Sequence, residues 1–364
     1  MTTPPAGRTA LVGTRKGLFV YDLDPSYPTV ASTHFLGSPV SSVLCDDRDD
    51  TWYACLDHGH FGVKLHRSDD HGATWTELAY PAYPADAVYA GEPASTTLLW
   101  TLAAGHQSQL GVLWCGTIPG GLFRSDDRGQ TWQLNRGLWD DPARLEWFGG
   151  GYDHPGVHSI SIDPRSADSM TVGVSCGGSW YTDDGGQTWG VSTGMRATYV
   201  PDGRAEDPRI QDPHRIVRCT AAPDVLWTQH HNGIFRSTDN ARTWSMFGNI
   251  TPSAFGFAVA VHPDDPNTAW FVPAESDEIR IPVDGAMVVN RTRDGGRSFE
   301  TLTAGLPQQH AYHLIYRHGL DVDSTGERLV MGSTTGSLWH SNDGGGSFQH
   351  VTDSLPPVLS VQYV

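Results

Sequence analysis

Hydrophobic residues along this chain fall in short runs in which every second position is apolar. One group of runs is Val157–Ile162, Met170–Ser175, Ser179–Thr182 and Thr188–Val191. Alternation with a period of two predicts half-buried β-strands, so this group predicts a four-stranded unit. Runs that match its first strand recur at Val40–Cys45, Leu98–Leu102, Arg215–Cys219, Phe257–Val261 and Tyr312–Tyr316. The pattern therefore predicts six units of the same build.

One polar octet precedes the last strand of each unit. Its six copies are SDDHGATW (68–75), SDDRGQTW (125–132), TDDGGQTW (182–189), STDNARTW (237–244), TRDGGRSF (292–299) and SNDGGGSF (341–348). The third-position aspartate can accept hydrogen bonds from the backbone N–H groups of a turn, and the fifth-position glycine, replaced only at Ala241, tolerates positive φ. We therefore predict hairpin turns whose aspartates have a structural role and not a catalytic one.

The two ends of the chain complete a seventh unit. Leu11–Val12 and Leu18–Tyr21 are strand-like runs without an octet, and Val358–Val364 has the pattern of a first strand without partners. Pairing these segments would close a ring and remove exposed strand edges. We predict an all-β, seven-bladed β-propeller that forms a single domain over residues 1–364. Its predicted blades are 9–37 plus 358–364, 38–80, 95–137, 156–194, 213–250, 255–305 and 311–355.

The octet resembles the Asp-box, S-x-D-x-G-x-T-W, of bacterial neuraminidase repeat (BNR) propellers. This family includes sialidases, xyloglucan hydrolases, sortilin-like receptors and a photosystem II assembly factor, and the chain is similar in organisation to single-domain "glycosyl hydrolase, BNR repeat" proteins. In the enzymes of this family the boxes are remote from the active site. The resemblance therefore implies a ligand site at the end of each blade opposite the octets. We call the two ends of a blade the box end and the loop end.

The loop end of a blade holds the connections before the first strand and between the second and third strands. Four carboxylates in such connections are candidates for acid and base: Glu146, Glu275, Asp277 and Glu278. A glycoside hydrolase needs two of them facing one bond, about 5–5.5 Å apart for retention or about 6.5–9.5 Å for inversion. Four further residues are candidates for substrate contacts: Arg15, Trp147, Tyr152 and Arg280.

Sialidase activity is not expected, although Arg280-Ile281-Pro282 spells a tripeptide that sialidases use to bind a carboxylate. In that family the tripeptide lies near the start of the domain, whereas here it falls in the sixth blade. Sialidases aside, the resemblance to the enzymes of this family implies a hydrolase-like enzyme that acts on a small polar or glycosidic substrate.

Histidines at the same loop ends leave a second hypothesis open. His60, His158, His214, His231 and His313 come from several blades and could converge on a divalent transition metal such as Zn, Fe or Cu, or supply a general base. A third hypothesis is a non-catalytic binding or assembly scaffold. We take the hydrolase as the prediction, with the metal-dependent enzyme and the scaffold as alternatives.

Charge and composition narrow the classes of partner. The chain has 41 acidic and 24 basic residues, a net charge of −17, which would repel nucleic acid and anionic lipid. No apolar run approaches the roughly 20 residues that a membrane span requires, and the first residues, MTTPPAGR, do not have the pattern of a secretory signal. We therefore expect a small-molecule or carbohydrate ligand, no nucleic-acid or membrane partner, and a cytoplasmic protein.

Overall fold

A computed structural model describes residues 8–24 and 26–364 of the chain. These residues form seven four-stranded sheets built on antiparallel strand pairs, with very little helix. The predicted fold class, an all-β seven-bladed β-propeller, is confirmed. By contacts, the chain divides into two compact units. The terminal unit is Met1–Val40, Val217–Asn240 and Ser245–Val364, and the central unit is Ser41–Ile216 and Ala241–Trp244.

The central unit contains the second, third and fourth blades. The second blade is β4 (Val40–Asp46), β5 (Thr51–Asp57), β6 (Val63–Ser68) and β7 (Thr76–Leu78). The third is β10 (Leu98–Ala104), β11 (Leu113–Ile118), β12 (Leu122–Ser125) and β13 (Gln133–Leu134). The fourth is β14 (Val157–Ile162), β15 (Met170–Val174), β16 (Gly178–Thr182) and β17 (Gly190–Val191). A short hairpin, β8 (Val88–Tyr89) and β9 (Glu92–Pro93), precedes the third blade. The only α-helix among the described residues, Arg136–Trp139, precedes the fourth, as does the 3-10 turn Pro142–Glu146.

The terminal unit contains the first, sixth and seventh blades and most of the fifth. The first blade is β1 (Thr9–Thr14), β2 (Gly17–Asp22), β3 (Thr29–His34) and β30 (Val358–Tyr363), and the fifth is β18 (Pro213–Arg218), β19 (Leu226–His230), β20 (Gly233–Ser237) and β21 (Ser245–Phe247). The sixth blade is β22 (Gly256–Val261), β23 (Ala269–Pro273), β24 (Val289–Thr292) and β25 (Glu300–Leu302). The seventh is β26 (Leu320–Val322), β27 (Leu329–Gly332), β28 (Leu338–Ser341) and β29 (Gln349–Thr352). Strand β18 crosses the boundary between the units. The C-terminal strand β30 pairs with β1, as predicted.

Large side chains fill the space between neighbouring sheets. In the central unit Leu65, Cys55 and Phe123 pack between the second and third blades, and Trp114 and Trp180 between the third and fourth. In the terminal unit Trp270 and Trp339 occupy the same position between the sixth and seventh. Apolar burial of this kind stabilises a blade only together with its neighbour.

The octets form the hairpin turns between the third and fourth strands, as predicted. In the second blade the Asp70 carboxylate accepts hydrogen bonds from the Ser68 hydroxyl and from the backbone N–H and hydroxyl of Thr74, at 2.6–2.8 Å. In that turn φ is positive at both the fourth and fifth positions, 55° at His71 and 86° at Gly72. Two consecutive positive φ values are the signature of turns that match the twist of a β-hairpin. The aspartates therefore stabilise turns, as expected.

One predicted strand is wrong. The segment Tyr312–Tyr316 was expected to be the first strand of the seventh blade, but it is irregular, and that strand is the short β26. Leu314 packs with Phe255 and Phe257 of the sixth blade, and Ile315 enters the core beside Trp339. The alternation of apolar residues in this segment thus reflects packing across the end of a neighbouring blade and not a sheet.

The register of the fourth blade agrees with the predicted ends of its strands. In the fourth blade Val157 pairs with Val174, and Met170 pairs with Thr182, where the box begins. His158 therefore lies at the end of its sheet opposite the box. No helix among the described residues is long and apolar enough to cross a membrane. The prediction of a single domain stays a prediction.

Candidate functional site

The loop end of the terminal unit brings together side chains from four connections. We call the set His231, Phe255, Phe257, Asp277, Arg280 and Arg317 the terminal cluster. His231 follows the last residue of β19, where the His230 ring accepts a hydrogen bond from the Asn232 N–H and helps the chain to turn. Phe255 and Phe257 lie at the start of β22. Arg317 belongs to the irregular segment before β26.

The connection between β23 and β24 is a compact loop. Backbone hydrogen bonds from Glu275 to Ile281 and from Ser276 to Ile279 close it, and the Arg280 Nε donates to the carbonyl of Asp277 at 2.8 Å. These bonds hold Glu275, Asp277 and Glu278 within one exposed turn. The three predicted acid/base candidates of this loop are therefore presented to solvent on a defined backbone.

One of these carboxylates contacts an imidazole. The Asp277 Oδ2 lies 3.3 Å from the His231 Nε2, with the His231 side chain 19% exposed and the Asp277 side chain 47% exposed. A carboxylate beside an imidazole fixes the orientation of the ring. The pair therefore sets a carboxylate and an imidazole in contact at the surface.

Aromatic rings pack against the histidine of this pair. The His231 ring meets Phe255 edge to face, with centroids 5.6 Å apart, and Phe255 meets Phe257 in the same way at 5.3 Å. The guanidinium groups of Arg280 and Arg317 lie 5.3 and 5.5 Å from the centroid of Phe257. Cation–π contacts of this kind orient arginine head groups. Because Arg280 is exposed, its outer N–H groups can reach a ligand.

Sequence reasoning missed Phe255, Phe257 and Arg317. Phe257 lies in the predicted strand Phe257–Val261, and Phe255 precedes that strand. Arg317 follows the segment that was wrongly predicted as a strand. The one local signal for Arg317 comes from comparing the residue that follows each predicted first strand, because an arginine at that position is unusual in this chain.

The loop end of the central unit holds a second, buried pair. The Asp212 carboxylate accepts hydrogen bonds from the Cys176 N–H at 3.0 Å and the Ser175 hydroxyl at 3.3 Å, and lies 3.1 Å from the His214 Nε2. Asp212 and His214 are 5% and 2% exposed. A β-carbon on Gly150 would lie 2.6 Å from the Cys176 sulfur, so the glycine allows its loop to pack against this pair. Asp212 and His214 supply two of the donors that a metal requires.

Glu146 is engaged in an ion-pair network. Its carboxylate lies 2.7 Å from the Arg204 guanidinium and 3.9 Å from that of Arg209, and Asp207 bridges the same two arginines at 2.7 and 2.9 Å. Hydrogen bonding from Arg209, then from Arg204, lowers the pKa of Asp207 well below its usual range, against the effect of its partial burial. The network joins the loops before the fourth and fifth blades. In the structure Glu146 thus cross-links two loops.

The two aromatic candidates of the central unit differ in exposure. Trp147 is 7% exposed and packs edge to face against Trp180 at 5.6 Å, so it has no open face for a sugar ring. Tyr152 is 50% exposed and stands on Trp100, with centroids 5.1 Å apart. Trp100 in turn packs against His158 at 5.5 Å. Of the two, only Tyr152 presents a ring to solvent.

The remaining candidates, one arginine and three histidines, lie on four separate elements of the structure. Arg15 is exposed in the turn between β1 and β2, and His60 is exposed in the 3-10 turn Gly59–Phe61. His313 shares a hydrogen bond between its Nδ1 and the Thr335 hydroxyl at 2.5 Å and packs on Trp339. His158 is buried, with its Nδ1 2.9 Å from the Ser159 hydroxyl. The metal hypothesis for the five histidines stays a prediction.

Comparison with known proteins shows similarity to an Asp-box repeat and to xyloglucanases. The BNR/Asp-box repeat matches residues 123–134. A probable oligoxyloglucan-reducing end-specific xyloglucanase of Neosartorya fischeri is 25% identical over 264 residues, which is 65% of this chain and 30% of the relative. The chain thus spans less than a third of the length of that relative.

Two solved structures show the same fold at low identity. A GH74 enzyme from Niastella koreensis has a TM-score of 0.60 and 16% identity, and the match covers 95% of this chain and 53% of the enzyme. The structure of YCF48 bound to D1 peptide has a TM-score of 0.54 and 15% identity, and the match covers 87% of this chain and 83% of that one. With six octets in the box turns and seven sheets, the chain resembles the Asp-box (BNR repeat) β-propellers.

Proposed function

We propose that this propeller is a glycoside hydrolase-type protein that binds a carbohydrate at the loop end, with the terminal cluster as its reactive part. The observation that carries the proposal is the contact between Asp277 and His231, which come from different blades and meet beside two exposed glutamates. Glycoside hydrolysis requires an acid at the leaving oxygen and a second carboxylate as nucleophile or base. Asp277, Glu275 and Glu278 are our candidates for these roles.

Neighbouring groups would bind and orient the sugar. The exposed head group of Arg280, held by Phe257 and by the Asp277 carbonyl, offers donors for hydroxyl or acidic groups. In the central unit, Tyr152 offers a separate aromatic face, and such rings favour the apolar face of a sugar. Similarity to a xyloglucanase supports a carbohydrate ligand. A cytoplasmic setting stays part of the proposal.

Carbohydrate binding and hydrolysis test this proposal together. The protein would be titrated with xyloglucan oligosaccharides and other β-glucan oligosaccharides by calorimetry, and release of reducing ends would be followed. We expect Asp277→Asn and Glu278→Gln to reduce hydrolysis by at least about 100-fold, a typical loss for an acid/base group. The matched control is Asp126→Asn, an exposed carboxylate at the box end.

The outcomes are distinct. Equal hydrolysis by Asp277→Asn, Glu278→Gln and the control would remove the terminal cluster from the reaction. Absence of binding to every oligosaccharide would refute the carbohydrate proposal itself.

A binding scaffold is the second candidate. The specific observation in its favour is the match with YCF48, whose structure contains a bound peptide and is covered over 83% of its length, whereas the xyloglucanase is covered over 30%. Peptide binding without any carbohydrate binding would favour this candidate. A metal-dependent enzyme stays the third hypothesis, and elemental analysis of tag-free protein would test it.

A further inference from the structure

The first blade has an outer strand unlike those of the other six. Strand β3 has 6 residues. The outer strands of the other blades, β7, β13, β17, β21, β25 and β29, have 2–4 residues. The first blade also lacks an Asp-box between its last two strands. Its free edge is therefore the longest of the seven described sheets.

This edge is exposed and uncharged. The sequence of β3 is TVASTH, and the side chain of Val30 is 46% exposed. Two large apolar side chains flank it, with Tyr27 80% exposed before the strand and Leu36 66% exposed after it. Long edge strands without charges are sites of strand pairing between chains.

We propose that β3 pairs with the same strand of a second copy of this chain, in an antiparallel and two-fold symmetric arrangement. A pairing centred between Ala31 and Ser32 brings Tyr27, in the turn before the strand of one copy, towards Leu36, in the turn after the strand of the other, twice. The two exposed apolar groups then cover each other. Such a two-fold contact is isologous and closes at the dimer.

Charge at the two ends of the strand favours a second copy over an unrelated segment. Asp22 is the register partner of Thr29 at the start of β3, Asp24 follows it, and Arg8 contacts both carboxylates, so this end holds two acidic groups and one basic group. Arg15 and Lys16 are exposed in the adjacent turn, and the Gly37 N–H donates to the Lys16 carbonyl, which sets the basic side chains at the other end of β3. Antiparallel pairing brings the acidic end of each copy to the basic end of the other, which offsets part of the repulsion between two chains of charge −17.

The dimer is expected to be weak, because one strand pair with flanking contacts is a small interface. Its dissociation constant should fall at about 1–100 μM, in the range of small interfaces. The full chain would be examined by sedimentation velocity and light scattering over that concentration range. We expect the mass to rise from monomer to dimer.

Variants at the edge identify the contact. Val30→Lys sets a charge into the pairing edge, opposite the uncharged Thr33 of the other copy, and should weaken dimerisation by at least about tenfold, whereas Val30→Thr, which keeps a β-branched and uncharged residue, should dimerise as the parent does. Met246→Lys, at a 52% exposed position of the short outer strand β21, is the matched control and should leave the dimer intact. Melting temperature is compared for all variants, since a folded Val30→Lys monomer is the required result.

Three results would overturn the proposal. They are a parent chain that stays monomeric up to the highest concentration, a dimer that survives Val30→Lys, and a dimer that Met246→Lys weakens equally. None of these depends on carbohydrate binding, so the dimer and the proposed function can fail separately.

Discussion

The two ends of each blade hold their carboxylates in different ways. At the box end, Asp184 accepts hydrogen bonds from Thr182 and Thr188, at most four positions away in the chain. At the loop end, Asp212 accepts the Cys176 N–H from 36 positions away, and Glu146 meets Arg204 across 58. Box turns are thus stabilised locally and repeated, whereas each loop end is built from contacts that occur only once. A ligand site needs the second kind of arrangement, because its groups must come from several connections.

The largest expected effect comes from removing a non-local carboxylate. Asp212→Ala would leave the Cys176 N–H, the Ser175 hydroxyl and His214 without this buried partner. We expect the free energy of unfolding to fall by about 2–4 kcal/mol, measured by urea unfolding. Asp202→Ala, an exposed residue of the same loop, is the control and should change it by less than about 0.5 kcal/mol. Equal, small losses would show that the buried pair contributes little.

A box turn should respond less, since its donors stay near solvent. Asp127→Ala removes an acceptor of the Ser125 hydroxyl and of the Thr131 N–H and hydroxyl. We expect a loss of about 1–2 kcal/mol in the same measurement. Its neighbour Asp126 makes only an exposed ion pair with Arg124, so Asp126→Ala should cost less than about 0.5 kcal/mol. If the two neighbouring aspartates behaved alike, the turn would not depend on the third-position carboxylate.

Acid should weaken the box turns in a defined range of pH. Hydrogen bonds from Thr74 and then Ser68 lower the pKa of Asp70 to about 2, and those from Thr188 and Thr182 do the same for Asp184. A carboxyl group with a depressed pKa in the folded state stabilises the fold above its unfolded pKa, and the contribution is lost as pH falls to the folded value. The melting temperature should therefore fall between about pH 4 and pH 2.

A variant isolates this effect from general acid unfolding. Thr74→Val removes the hydroxyl that donates to Asp70 and should make the fall in melting temperature between these pH values shallower than in the parent. A slope equal to that of the parent would mean that other groups control the acid response.

The smallest effect is expected at the one irregular octet. Ala241 occupies the fifth position with a φ of 61°, where the other five octets have glycine. Left-handed backbone is unfavourable for a residue with a β-carbon, and glycine relieves this cost while losing more entropy on folding. Ala241→Gly should therefore raise the free energy of unfolding by about 0.5–1 kcal/mol in urea. A decrease would indicate that the alanine methyl group contributes to packing.

The repeated features of the fold could be predicted from the sequence. Six octets, alternating strands and a C-terminal strand without partners were sufficient to predict the seven blades, the box turns and the pairing of β30 with β1. Local patterns could also assign candidate residues to an end of each blade, because a strand reverses direction at every connection. They failed at Tyr312–Tyr316, where apolar alternation arises from packing against Phe255 and Phe257.

Only the tertiary structure decided which of these residues meet. Sequence order could not show that Trp147 is buried while Tyr152 is exposed, that Glu146 is bound by Arg204, or that Asp277 contacts His231. The hydrogen bonds of a box turn join residues within four or five positions, so each octet specifies its own turn. Contacts between loops depend on how blades pack, and packing is set by side chains far apart in the chain.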